Sequence, residues 1–211
     1  METIPKAALK EWAIVCRALE EGRQQVLLRK GGIMEYRNGF ELKHNIFYLF
    51  PTFEHQSKEL IQPDYANNLD IIQQNAFLED STKNNISSYA KVVSVKEIND
   101  RLLVQKLKKY HIWNDHYVNL RMEYNPKKSM SVILLRVYKI KRPFEVNLKP
   151  EWKGCKSWIP ISLSDNHPRV TNLDVDSDYN PDYPATICNN KPILDDSKFE
   201  QIAAEIEKIL S

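Results

Sequence analysis

Glycine is scarce in this chain, five residues in 211, and two of the five are adjacent at Gly31 and Gly32. The phosphate-cradling loop of P-loop enzymes is absent. "LLRKGGI" lacks the Walker spacing and its Ser or Thr, and runs on into Met34 and Glu35. Cysteine is scarcer still. Cys16, Cys155 and Cys188 are widely spaced with no CxxC pair, which argues against a structural zinc site and for a reduced, cytoplasmic protein. No apolar run approaches the ~18 residues of a membrane helix. "METIPKAALKEW" lacks the basic-then-apolar pattern of a secretory signal. The expectation is a chain without a membrane partner. Repeats and low-complexity tracts are missing too.

The hydrophobic fraction is 42%, enough to build a core. The length suits one domain over 1–211 with a polar helical insertion at about 57–90. The net charge of +2 hides an asymmetry. Residues 91–160 carry 16 Lys/Arg against 6 Asp/Glu, and residues 161–211 carry 4 against 10. A basic middle either faces a polyanion or lies against the acidic tail and is neutralised by it.

Pattern predicts a helix over 5–21, with Pro5 in its first turn and Gly22 past its end. Strands follow at 24–29 and within 40–56, the latter stopped or bent at Pro51. Further strands are expected at 89–98, 116–124 and 130–140, the last two as an antiparallel hairpin. A short helix is expected over 99–110, capped by Asn99 or Asp100, with Leu102, Leu103, Leu107 and Tyr110 on its apolar face. Residues 141–196 read as an irregular wrap, and an amphipathic helix closes the chain at about 197–210. Strands outnumber helices without βαβ alternation. The fold class expected is therefore α+β, with a mainly antiparallel, barrel-like sheet and flanking helices.

Four constellations carry chemistry. In the first, Arg29, Lys30, Gly31 and Gly32 either form an anion cradle or end a strand in a basic turn. In the second, Lys108, Lys109, Trp113, Tyr117, Arg121, Lys127 and Lys128 interleave cations with aromatics, the mixture that contacts phosphates and stacks on bases. The third is Glu41-x-Lys43 on an expected strand. Restriction-type nucleases place a carboxylate and a lysine this way around Mg²⁺, and His55 would add acid–base capacity. Mg²⁺ is the one cofactor implied, and only under that nuclease alternative. The fourth is "LDVDSDYNPDY", where Asp174, Asp176 and Asp178 have calcium-loop spacing. Tyr179 and Ala185 stand where that loop needs Gly and Glu, so a solvated acidic loop is expected. "HIWNDHY" (111–117) reads as a polar connection rather than a metal site.

"ALKEWAIVCRALEEGRQQVLLRKGGI", "FYLFPTFEHQ", "VILLRVYKI" and "GCKSWIPI" together resemble the bacterial family known as domain of unknown function 1802. Some members of that family are associated with a restriction-endonuclease-type domain. The resemblance implies an accessory role in restriction–modification or defence, beside a partner such as a nuclease. The order of elements is similar, more loosely, to PUA-like modules including the ASCH group, which implies nucleic-acid binding and a PUA-like sheet. The leading expectation is a non-catalytic nucleic-acid-binding domain. A metal-dependent nuclease or nucleotide-processing enzyme and a protein-interaction scaffold are the alternatives.

Overall fold

A computed structural model describes residues 5–30, 39–78, 82–161 and 190–211. Strand β1 (Ala7–Trp12) lies between two neighbours and is buried on both faces, Ala8 and Leu9 completely so. A doubly buried strand loses the polar alternation that marks a half-exposed one. That is why the expected helix over 5–21 is really β1 followed by α1 (Ala13–Glu20). Helix α1 ends in paired bonds from Arg23 N–H to Ala18 O and from Gly22 N–H to Leu19 O. This Schellman geometry needs a left-handed residue, and Gly22 supplies it at φ 69°. A Cβ on Gly22 would also stand 2.8 Å from Leu194 Cδ2. Gly22→Ala is expected to destabilise the fold by about 1–3 kcal/mol, read as a lowered urea midpoint.

The remaining elements are β2 (Val26–Arg29), β3 (Ile46–Thr52), α2 (Pro63–Leu78), β4 (Lys83–Ile98), α3 (Arg101–Lys106), α4 (Asp115–Glu123), β5 (Met130–Asn147), β6 (Trp158–Pro160), β7 (Lys191–Pro192) and α5 (Asp196–Leu210). The strands form one sheet in the order β2-β5-β4-β3-β1-β6, with β7 also on β5. Every pairing is antiparallel except β1 with β3. The architecture is α+β with a mostly antiparallel sheet. The sheet is not closed into a barrel: β2 and β6 stand at opposite ends of its strand order.

The sheet buries both faces. One packs Leu9, Phe47, Ala90 and Leu135 against the helices. The other buries Ala8, Tyr48, Tyr89 and Ile140 under Trp152, Ile159 and Ile161. Among the described residues no helix is long and apolar enough to cross a membrane.

Three expectations need correction. Residues 116–124 form helix α4 rather than a strand, because Asn114 caps it, its Oδ1 accepting from Tyr117 N–H at 3.0 Å. β5 therefore pairs with β4 on one side, and with β2 and β7 on the other. The helix expected over 99–110 is α3, capped by Asp100, followed by a 3₁₀ turn at Lys108–Tyr110. Its Leu102 is exposed while Val104 is buried. Glu41 and Lys43 lie in an irregular lead-in, since β3 begins only at Ile46. Helix α2 lies within the stretch expected as a polar helical insertion, whose last residues, 83–90, instead begin β4, and α5 lies where the closing amphipathic helix was expected.

A candidate nucleic-acid interface at the end of α4

Helix α4 is held at its start by a cross-brace. Asn114 Nδ2 donates to Glu59 O at 2.7 Å and to Ile61 O at 3.2 Å. Gln62 Nε2 donates to the carbonyls of Lys108, His111 and Trp113. With its origin fixed, α4 runs Tyr117 and Arg121 past the end of β2. Trp12 meets Trp113 edge-on at 4.9 Å, and Trp113 stacks on Tyr117 at 3.9 Å with an 8° interplanar angle. Arg121 then lies 6.0 Å from the Tyr117 ring and 5.7 Å from that of Tyr124. Burial pushes the Tyr117 phenol above its ordinary value, with Arg121 offsetting part of the rise.

Two of the expected phosphate ligands do other work. Arg29 Nη1 donates to Glu11 Oε2 at 3.0 Å, and both side chains are largely buried. The guanidinium also sits 5.1 Å from the Phe40 ring. Lys30 is 2% exposed and donates from Nζ to Met122 O at 2.7 Å. It thus caps an open carbonyl in the last turn of α4, where positive charge suits the helix dipole. Burial and the neighbouring Arg121 lower the Lys30 pKa. Trp113, expected to stack on a base, is 2% exposed, with one ring face against Tyr117 and Trp12 at its edge.

Five of the seven sequence-predicted cations nonetheless converge. Arg29, Lys30, Arg121, Lys127 and Lys128 all lie where β2 and α4 end and β5 begins. Lys127 and Lys128 follow Asn125, a left-handed residue at φ 52° that turns the chain back toward the sheet. Gly39 lies beside the Lys128 stem. Glu11 is engaged by Arg29, and Glu123 by Arg101 at 3.4 Å. Lys127 is exposed and Lys128 half-buried, and neither ammonium has an acidic partner among the described residues.

Lys108 and Lys109 belong elsewhere. Lys108 pairs with Asp115 at 3.3 Å and Lys109 with Glu205 of α5 at 2.5 Å. Glu205 also accepts from the Tyr110 hydroxyl at 2.6 Å. Lys109 first, then Tyr110 and Gln201, hold the Glu205 carboxyl down to about 2. Asp196 pairs with Arg136, so the closing acidic helix does neutralise part of the basic middle. Gly31 and Gly32 of the expected cradle, and Asp174, Asp176 and Asp178 of the acidic loop, lie outside the described residues.

The nuclease residues are placed as follows. Glu41 and Lys43 are exposed, and Glu41 O accepts from Trp158 Nε1 at 2.9 Å. His55 is exposed in a turn at φ 62°. Its neighbour Glu54 pairs with Lys10 at 3.0 Å. Among the described residues no group of three His, Cys, Asp or Glu side chains is placed to hold a metal ion. Glu11 was missed in the sequence. It fell in the stretch read as a helix, where an isolated carboxylate carries no signal.

The family described as domain of unknown function DUF1802 matches residues 8–183, most of this chain. The chain belongs to that family. No curated protein matches this DUF1802 chain. Among solved structures it is similar to the ASCH protein of Zymomonas mobilis, at 11% identity and a TM-score of 0.44, over 75% of this chain and 89% of that one. A variant of that protein gives a TM-score of 0.45, also at 11% identity, over 77% of this chain and 94% of the other.

Proposed function

We propose that this DUF1802 chain is a non-catalytic nucleic-acid-binding domain that contacts the phosphate backbone at the end of α4. The observation that carries this reading is the corner itself. Lys127 and Lys128 project there without acidic partners among the described residues, beside Arg121 on its two tyrosines. Cations so placed attract phosphate and release its counterions. Glu11–Arg29 ties β1 to the end of β2, and Lys30–Met122 ties that end to α4. In this reading the chain works beside a separate protein such as a nuclease, in the restriction or defence setting that the family resemblance implies.

The test is fluorescence anisotropy with labelled duplex DNA, single-stranded DNA and RNA at two salt concentrations. Saturable binding that weakens steeply with salt is expected. The Lys127→Gln/Lys128→Gln variant should lower the salt slope by about 1.4–1.8, at roughly 0.7–0.9 per phosphate contact. No binding at low salt overturns the proposal. So does an unchanged slope in the double variant.

A further inference from the structure

Strand β7 is only two residues long, yet it is fixed on both sides. Ile193 N–H donates to Val137 O at 2.9 Å, and Lys141 N–H donates to the Asn190 side-chain oxygen at 3.0 Å. This register sets Lys191 directly opposite Lys139. Residues opposite each other in an antiparallel ladder share a face, with Cβ atoms about 4.5–5.5 Å apart. Lys141 follows two residues along β5, inside a register irregularity, with its N–H held by Asn190. All three lysines are exposed, and none has an acidic partner among the described residues.

The described acids nearby are already engaged. Glu20 accepts from the Ser87 and Ser88 hydroxyls, Asp196 pairs with Arg136, Glu145 pairs with Lys83, and Asp195 caps α5 at Lys198 N–H. Like charges placed directly opposite destabilise a sheet. Here the repulsion is built in by backbone hydrogen bonds, and no acid among the described residues pairs with these lysines.

We infer that Lys139 and Lys191, with Lys141 beside them, form a second phosphate-binding site, with the two opposed ammonium groups bracketing one phosphate. Lys139 lies nine steps along β5 from Met130, about 30 Å at ~3.4 Å per residue, so this site is separate from the corner at α4. Its biological ligand, a nucleic-acid backbone, rests on the function proposed above. Its anion chemistry does not. The competing account is that edge lysines merely discourage strand-to-strand aggregation.

The experiment is a titration of the full chain with inorganic tripolyphosphate, followed by NMR of lysine Cε resonances assigned by substitution. Lys139 and Lys191 are expected to shift together and saturate. Either Lys139→Gln or Lys191→Gln should weaken that response about tenfold, the loss of one charged hydrogen-bonding partner. Small, non-saturating shifts spread evenly over all exposed lysines would overturn the inference. Self-association of the glutamine variants with the tripolyphosphate response unchanged would overturn it in favour of the edge-guarding role. Lys127 and Lys128 report on the other reading in the same spectra. If they stay silent while Lys139 and Lys191 saturate, the corner fails and this site stands.

Discussion

Glu11→Ala is expected to cost about 3–5 kcal/mol of folding stability. The Glu11 and Arg29 side chains are 8% and 15% exposed, and their contact is 3.0 Å. Removing the acid leaves a guanidinium enclosed by Phe40 and the Lys10 carbonyl, with no other carboxylate bonded to it among the described residues. The second carboxylate oxygen matters as well. Glu11 Oε1 accepts from Trp12 N–H at 2.9 Å, where strand β1 hands over to α1. Glu11→Gln keeps an acceptor for that N–H and removes only the charge, so its loss should be smaller. In the Glu11→Leu/Arg29→Met double variant no charge is stranded, and most of the stability lost in Glu11→Ala should return. Urea denaturation of the four proteins measures this. A cost below about 1 kcal/mol for Glu11→Ala would mean that the pair behaves as a solvated surface bridge.

The same pair shows what the sequence hid. Arg29 and Lys30 were legible as cations at the end of a strand, because β-rich residues run into them. Their partners were not, since Glu11 and Met122 lie 18 and 92 residues away in sequence. Without those partners a buried helix cap and a buried ion pair look identical to an exposed anion cradle. Lys127 and Lys128 lie in the turn after α4, for which "NPKKS" carries local chemistry that needs no distant contact, although the hairpin expected around it is absent. Helix α4 failed for a related reason. "HYVNLRMEY" alternates like a strand, while the deciding signal was Asn114 followed by Asp115, a cap with an acid in the first turn. Strand β5 and helix α5 were legible because long apolar or strictly periodic runs outweigh local exceptions. The sheet order depended on pairings that no local pattern encodes, above all the parallel contact of β1 with β3.

Acid should unfold this protein partly through one imidazole. His111 is 2% exposed, and burial pushes its pKa down from 6.5 to about 4, with the backbone of Val104 and Trp113 offsetting part of the shift. Above pH 6.5 the ring is neutral whether the chain is folded or not, so it adds no pH dependence. As the pH falls through 6.5 the unfolded chain takes up a proton that the folded interior refuses. Stability is then lost at about 1.4 kcal/mol per pH unit until the folded ring charges near pH 4, about 3 kcal/mol in all. His111→Leu removes the titrating group. Its stability should therefore fall less steeply than the wild type between pH 6.5 and 4, by that same amount in total. Urea midpoints at four pH values separate the two curves, and carboxylate titration, common to both proteins, cancels in their difference. Parallel curves would show that the ring is hydrated in the folded state. The consequence reaches the basic corner, because His111 O is one of the three carbonyls that Gln62 gathers at the start of α4. Charging the buried ring is expected to strain that brace, so affinity for polyanions should decline as the pH falls toward 4.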